Sequence, residues 1–489
     1  MRPDPLRLTS RQKMSRSSAS VYLRGRAVTT ALLTALLTVL CAVLVLSACI
    51  GIEPAFEVSQ QDIPPISAHP SAHLSLEELL TAHMKFLTSD FCLGRVVNTS
   101  GATRSAQYII DEFKSIGLSP AYRNGYADTY KIPDLSENTA TLELVDGQGK
   151  TSKVFAYLRE FVEGVYPKWG ANSAKGSLAM APTTAEDWNN VKAGSVLLAT
   201  YSGTDVTPIL NPALQKKCAG VLLLNTATGD KPFFRRLNTE PSGPPLTALS
   251  VTQSCYDKLL RHVGETVNLT VTSRKISWTG VNVAGVLGDP ARQPTVVVCA
   301  HRDSRASEDG RFVPTQGGTD NASGTAALLE IARALKSDPG FKGAAVFLAV
   351  DGEEIGLTGS REFAKNPPFK STNLALVLNL DCIAARGSDV VELYATADKG
   401  MAIAVRDAIA ASLKAAGLNA VLTDEKYSSD QRSFEDAGCP AVVVHSTMDS
   451  FAQYIHTPKD SMDTVDIKVL AAIVRGVVEG IAKEAPKGQ

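Results

Sequence analysis

From residue 280 onward, short unbroken apolar segments alternate with segments whose apolar residues recur every three or four positions. The segments 296–298, 344–350, 374–380 and 441–444 are of the first kind, and such runs predict strands buried on both faces. The apolar residues of 325–335 and of 466–481 fall on one helical face. This alternation predicts an α/β fold whose sheet is covered by helices on both faces.

Residues 162–275 show a different pattern, because short β-type runs such as 195–199 and 221–224 alternate with Gly, Pro and Asn breaks. No histidines and carboxylates cluster there as they do further along the chain. The pattern predicts a small β-rich domain inserted into the main fold. The main domain is then made of residues 76–161, which include a helix at 106–118 ending near Gly117, and of residues 276–489.

The first 48 residues predict an export signal. A basic, Ser-rich segment precedes the apolar run 31–46, which is shorter than the about 20 residues that span a membrane. The sequence Leu46-Ser47-Ala48-Cys49 follows, and it resembles the lipobox of bacterial lipoproteins, in which the cysteine is lipidated. We therefore expect a signal peptide at 1–48, a membrane anchor at Cys49 and a flexible tether over 49–75. Because Ile50 stands where an Asp would favour inner-membrane retention, we expect the outer membrane.

Charge and cysteine content narrow the classes of function. The formal net charge is −1, but residues 1–48 hold seven of the Lys and Arg residues and one acid, so the rest of the chain is mildly acidic. An acidic chain does not favour nucleic acid as a partner. Six cysteines follow Cys49, and an exported protein can oxidise such residues. A disulfide between Cys218 and Cys255 is one pairing among fifteen.

Polar residues follow each predicted strand of the second half. His301 and Asp303 follow one strand, the pair Glu353-Glu354 follows the next, and Asp381 follows a third. Because open α/β sheets bind ligands beyond the carboxyl ends of their strands, these side chains are expected to lie together. Imidazole and carboxylate without thiolate suit zinc or a similar divalent ion. The pattern predicts a metal site that can hold two ions.

Five motifs occur in order along the second half of the chain: His301-x-Asp303, Gly-Gly-Thr-Asp320-Asn-Ala-Ser-Gly, Glu353-Glu354-x-Gly-Leu-x-Gly-Ser360, Asn-Leu-Asp381 and His456-Thr-Pro-x-Asp460. Together they resemble the motifs of the di-zinc aminopeptidases, metallopeptidase family twenty-eight. Residues 87–95 also resemble that family, and the 162–275 insert resembles the protease-associated domain of many members. The resemblance implies the three-layer zinc exopeptidase fold, with peptides as substrates.

The resemblance also implies roles for single residues. Asp320 would bridge two zinc ions, with His301 and Asp381 completing one site and Glu354 and His456 the other. Glu353 would be the general base that takes a proton from the metal-activated water and passes it to the leaving amine. Asp303 would orient His301.

Several alternatives stay open at this stage. His445 is a rival ligand to His456, and Tyr454 has either a structural role or one in stabilising the reaction intermediate. Arg302 and Arg305 leave a carboxypeptidase or another amidohydrolase as an alternative function, because arginines near the metals would bind a terminal carboxylate. A single-zinc glutaminyl cyclase is disfavoured because both His301 and Asp381 are retained, and a non-enzymatic binding module is disfavoured because no ligand has been lost. Arg302, Arg305, Gln431 and Ile455 depart from the family pattern. None of them is expected to touch a proposed ligand, but their segments are expected to line the pocket.

Overall fold

The computed structural model describes residues 74–484, apart from residues 158, 164–169, 204, 228–245, 309–310, 314, 397–399 and 425–426. The expected signal peptide, Cys49 and nearly all of the expected tether lie outside the described residues. Within these residues, no helix combines the length and the apolar character that a membrane crossing requires.

The helices and strands alternate along the second half of the chain as the apolar pattern predicts. The helices are α1 (Leu76–Leu87), α2 (Ser100–Ile116), α3 (Thr207–Gln215), α4 (Gln253–Leu260), α5 (Ser323–Ser337), α6 (Thr358–Lys365), α7 (Gly400–Ala415), α8 (Gln431–Asp436), α9 (Met448–Phe451) and α10 (Ile467–Glu484). The strands are β1 (Ser119–Pro120), β2 (Ala127–Val145), β3 (Thr151–Val154), β4 (Phe161–Glu163), β5 (Gly170–Met180), β6 (Val196–Tyr201), β7 (Gly220–Asn225), β8 (Thr247–Val251), β9 (Thr266–Leu287), β10 (Thr295–His301), β11 (Ala306–Glu308), β12 (Arg311–Val313), β13 (Ala344–Val350), β14 (Leu374–Leu380), β15 (Val390–Ala395), β16 (Asn419–Thr423) and β17 (Ala441–Ser446).

The central sheet is mixed and is covered by helices on both faces, which confirms the predicted fold class. Its strands run in the order β16-β15-β17-β14-β10-β13-β9. Strand β10 pairs in parallel with both β13 and β14, whereas β9 pairs antiparallel with β13. Alternate residues of β10 point to opposite faces, because side chains alternate along a strand. Val296 and Val298 pack in the cluster that contains Leu328 of α5, while Val297 packs on the other face with Phe363 of α6.

The strands of the expected insert adjoin the long strands β2 and β9, which pair with each other over most of their length. Strand β9 also pairs antiparallel with β5, and β5 to β8 continue as parallel neighbours. Helices α4 and α3 pack on the two faces of these strands, in separate clusters that include Leu259 and Leu210 respectively. Ala140 and Leu142 of β2 belong to the first of these clusters.

The cysteines do not form the disulfide that was left open. Neither Cys218 nor Cys255 belongs to a disulfide, and the two buried thiols lie in different hydrophobic clusters. The other four cysteines in the described part of the chain are buried thiols outside any disulfide as well. Each of these thiols therefore packs as a small apolar side chain.

Candidate metal centre

Three neighbouring parallel strands end at the same edge of the sheet, and a polar segment follows each of them. His301 is the last residue of β10 and lies opposite Val350, the last residue of β13. Glu353 and Glu354 follow β13 closely, and Asp381 comes directly after β14. Their side chains meet because the carboxyl ends of parallel strands share one sheet edge.

His301, Asp320 and Asp381 form the first group of potential ligands. The Nε2 atom of His301 lies 3.3 Å from Oδ1 of Asp320 and 3.2 Å from Oδ1 of Asp381. All three residues are buried. One imidazole nitrogen and two carboxylate oxygens at this spacing form a ligand set that suits zinc.

The second group contains Glu354 and His456 and shares Asp320 with the first. The Nε2 atom of His456 lies 2.9 Å from Oδ2 of Asp320 and 3.0 Å from Oε2 of Glu354. Asp320 thus offers Oδ1 to one group and Oδ2 to the other. A carboxylate shared in this way is the arrangement of a two-metal site.

The turn that carries Asp320 is held by the segment that follows His456. The Asp460 carboxylate accepts hydrogen bonds from the backbone N–H groups of Thr319, at 2.8 Å, and of Asp320, at 3.1 Å. A Cβ atom at Gly318 would overlap the carbonyl oxygen of Ser461. Sequence analysis assigned no role to Asp460 in the ligand turn, although the His456-Thr-Pro-x-Asp460 motif contained the signal.

A buried arginine from the start of the domain supports the same turn. The Arg95 guanidinium donates to the carbonyl oxygens of Arg302, at 2.6 Å, and of Gln316 and Gly317, both at 2.9 Å, and it also donates to the carbonyl of Leu87. It therefore joins the backbone beside His301 to the backbone that leads into Asp320. The resemblance of residues 87–95 to the family was the only sequence signal for it.

Asp303 contacts His301 mainly through its backbone. The Nδ1 atom of His301 lies 3.0 Å from the Asp303 carbonyl oxygen and 3.7 Å from Oδ1 of its carboxylate. The carboxylate instead accepts the backbone N–H groups of Glu353, at 3.3 Å, and Glu354, at 3.2 Å. Asp303 therefore positions the glutamate pair as well as the histidine, which sequence analysis did not foresee.

The carboxylates raise the pKa of both imidazoles. Burial alone would lower the pKa of His456, but the Glu354 carboxylate and the hydrogen bond with Asp320 raise it to about 11. Burial alone would also lower the pKa of His301, but Asp381 and neighbouring carboxylates raise it well above the ordinary value. A divalent ion binding here would displace these imidazole protons.

Glu353 is half-buried beside the two groups and belongs to neither. Burial raises the pKa of Glu353 well above its ordinary value, the charge of His301 opposes this change, and the carboxylate of Glu354 adds to it. A carboxylate with a raised pKa accepts a proton readily at neutral pH, so Glu353 has the properties of a general base.

One further observation indicates that these side chains suit a metal ion. The Oε1 atom of Glu354 is buried and has no hydrogen-bond partner among the described residues. A buried carboxylate oxygen without a partner is costly, and coordination of a cation removes that cost.

The pocket-lining expectation fails for two residues. The Arg302 side chain is fully buried and points away from the ligand groups, since it pairs with Asp351 at 2.7 Å and donates to Ser105 and to the carbonyl of Ala102. Gln431 is also buried, and its side chain accepts a hydrogen bond from Asn379. Both belong to segments that were expected to line the pocket, but the position of a segment does not specify the direction of each side chain.

Three other candidates lie around the ligand groups. Arg305 contacts Oε2 of Glu354 through its Nε atom at 2.7 Å, so the expectation that it touches no proposed ligand is wrong. His445 stacks on Tyr427 with ring centres 3.9 Å apart, and it belongs to neither ligand group. Tyr454 packs beside Cys382 on the edge of the site.

Comparisons with known proteins agree with this geometry. Residues 282–481 match the model of Peptidase family M28. The chain is similar to Aminopeptidase YwaD of Bacillus subtilis, with 24% identity over 80% of this chain and 82% of the relative. It is also similar to Probable lipoprotein aminopeptidase LpqL of Mycobacterium tuberculosis, with 26% identity over 71% of this chain and 68% of the relative.

Solved structures share the fold. The zinc aminopeptidase BSAP from Bacillus subtilis superposes with a TM-score of 0.62 at 20% identity, over 82% of this chain and 94% of that chain. The aminopeptidase from Aneurinibacillus sp. strain AM-1 gives a TM-score of 0.59 at 20% identity, over 84% of this chain and 95% of that chain. Residues 282–481 therefore resemble Peptidase family M28, and the chain has the mixed α/β fold of solved zinc aminopeptidases.

Proposed function

We propose that this chain is a zinc-dependent aminopeptidase that hydrolyses the first peptide bond of peptide substrates. The observation that supports this most is the pair of ligand groups that share Asp320, with Glu353 beside them. The names of the similar proteins, zinc aminopeptidase among them, support the same activity.

His301, Asp320 and Asp381 would hold one zinc ion, and Asp320, Glu354 and His456 would hold the other. When bound, the ions would lower the pKa of a water molecule and polarise the peptide carbonyl. Glu353 would take the proton from that water and return it to the amine that leaves. Asp303 keeps the two glutamates in register by accepting the N–H groups of both.

Replacing the base tests the assignment directly. We expect Glu353→Gln to retain its zinc and to lose activity by about a hundredfold or more, because an amide cannot accept the proton. The exposed glutamate Glu479, on α10, gives the matched control Glu479→Gln. Turnover of Glu353→Gln within a few-fold of the control would refute the role of Glu353.

The number of ions separates the proposal from a glutaminyl cyclase. Elemental analysis of the purified chain is expected to give about two zinc ions per molecule, as a shared carboxylate requires. If the chain bound a single ion and cyclised peptides with an N-terminal glutamine, it would be assigned as a glutaminyl cyclase and not as an aminopeptidase.

Peptides with free and blocked ends distinguish the aminopeptidase from a carboxypeptidase. We expect release of the N-terminal residue from free peptides, and no release once the α-amine is acetylated. Mass spectrometry of the products identifies the cleaved bond. Continued cleavage of the acetylated peptides at the C-terminal end would establish the carboxypeptidase.

We also propose that the insert over 162–275 is a protease-associated domain. Its hydrophobic clusters, which are separate from those of the central sheet, support an autonomous unit. The same clusters include Ala140 and Leu142, so the unit would begin earlier than residue 162. Limited proteolysis tests this, since a domain should resist cleavage while its connections are cut.

We further propose a lipid anchor at Cys49, and a location in the cell envelope with the outer membrane favoured. The Leu46-Ser47-Ala48-Cys49 sequence supports this, as does the similarity to a protein named a lipoprotein aminopeptidase. Cells fed a labelled fatty acid should label the wild type and fail to label Cys49→Ala. Equal labelling of both would refute the anchor, and membrane fractionation would test the outer membrane.

A further inference from the structure

The carboxylate of Asp430 lies inside the protein, beside the candidate metal centre. Asp430 comes directly before α8, and its side chain is fully buried. Neither of its two oxygen atoms has a hydrogen-bond partner among the residues that the structure describes. Because a buried charge without a partner is strongly destabilising, a positive charge is expected to accompany this carboxylate.

The groups beside Asp430 do not neutralise it in the metal-bound enzyme. Burial raises the pKa of Asp430 to about 7, whereas the charge of His301 and the hydroxyl of Ser360 lower it, so both groups lie close by. A histidine that binds a metal ion is neutral, so metal binding removes the charge of His301. Ser360 has a single hydroxyl proton, and the Leu357 carbonyl at 3.2 Å and the Ser433 hydroxyl at 2.9 Å both compete for it.

A second buried oxygen borders the same place. Asn379 of β14 lies opposite Cys299 of β10 in the sheet. Burial raises the pKa of the Cys299 thiol and the Asp430 carboxylate raises it further, so Asp430 also lies beside Cys299. The Asn379 amide nitrogen donates to Ser429 and Gln431, the two residues that flank Asp430. Its carbonyl oxygen is buried and has no partner in the described part of the chain.

The donors around this place are carboxylate, amide and hydroxyl oxygens, which hard cations prefer. Since they include one carboxylate, a singly charged ion balances their charge. We propose that Asp430, Asn379 and Ser360 bind an alkali-metal cation, sodium or potassium, next to the candidate metal centre. This site is separate from the two groups of ligands that share Asp320. It does not depend on which peptide bond the enzyme cleaves.

Thermal unfolding in matched chloride salts tests the site. The purified, zinc-containing protein is compared in sodium, potassium and tetramethylammonium salts of equal ionic strength, at about pH 8, where a group with this pKa is largely ionised. We expect sodium or potassium to raise the midpoint by about 2–4 °C relative to tetramethylammonium, because an ion that binds only the folded chain stabilises it. Asp430→Asn should keep its zinc and lose this difference between the salts. The control Asp436→Asn, on the same helix with a side chain that is 67% exposed, should retain the difference.

The outcomes separate a bound alkali-metal ion from a proton or a water molecule at Asp430. Equal midpoints of the wild type in all three salts would overturn the inference. A difference between salts that persists in Asp430→Asn would place the ion elsewhere, and loss of zinc from this variant would assign Asp430 to the zinc ligands; either result would overturn the inference as well.

Sodium NMR needs no variant and therefore covers the case in which Asp430→Asn does not fold. The wild type should broaden the sodium resonance, and added potassium should reverse the broadening. Reversal by tetramethylammonium to the same extent would show only nonspecific attraction to acidic side chains and would refute the site.

Discussion

The guanidinium of Arg95 provides the sharpest test of how the ligand turn is supported. Arg95→Met removes a fully buried group that donates to four backbone carbonyls, those of Leu87, Arg302, Gln316 and Gly317. Methionine is similar in length and fills the space without a donor. The carbonyls lose their partner inside the protein, where water does not easily replace it.

The expected loss of stability follows from these bonds. Each of the four hydrogen bonds is taken to contribute about 1 kcal/mol net, because the cost of burying the charged guanidinium offsets the greater strength of hydrogen bonds from a charged donor. Together they give an expected loss of about 4 kcal/mol in the free energy of unfolding. Domains of this kind are stable by about 5–15 kcal/mol, so the variant should still fold. Because the same bonds fix the backbone beside His301 and Asp320, zinc affinity should fall by about 10–100-fold.

Two measurements and a control variant test the predicted effects of Arg95→Met. Urea unfolding gives the free energy of unfolding, and competition with a chelator gives the zinc affinity. Arg333→Met is the control, since Arg333 bonds Glu330 and Glu112 away from the ligand turn. It should lose stability and keep its zinc affinity. The reasoning is refuted if Arg95→Met binds zinc as tightly as Arg333→Met, or if it loses less than about 1 kcal/mol.

Three further predictions concern the ligand groups. Gly318→Ala should lower the free energy of unfolding by about 2–3 kcal/mol in urea titrations, because the new Cβ meets the Ser461 backbone; an unchanged midpoint would contradict this close approach. His445→Gln should keep the zinc content of the wild type, since His445 lies outside both groups; loss of an ion would make it a ligand. Zinc binding should release protons at pH 7, because the pKa values of His301 and His456 are raised and a ligand must be neutral. Affinity should therefore rise with pH, and calorimetry in buffers of different ionisation enthalpy measures the release; equal heats in all buffers would exclude it.

Regular apolar segments allowed the central sheet to be predicted closely. The predicted strands over 344–350 and 374–380 coincide with β13 and β14. The predicted helix over 106–118 was too short at its start, because α2 begins at Ser100 with a polar, Gly-containing first turn that lacks apolar periodicity. The long strands β2 and β9 were not predicted. Many positions along β9 alternate between buried and more exposed side chains. The residues of β2 that pair with them lie more than a hundred residues away in the sequence.

The sequence by itself determined the fold class and the residue types of the candidate metal centre. Both depend on local order, because an apolar run followed by a polar ligand is visible in a few residues. Tertiary structure alone decided that Arg302 turns into the core, that Arg305 stays at the site, and that Arg95 and Asp460 hold the turn carrying Asp320. These choices depend on contacts between residues far apart in the chain, and no local pattern specifies the direction in which an arginine points.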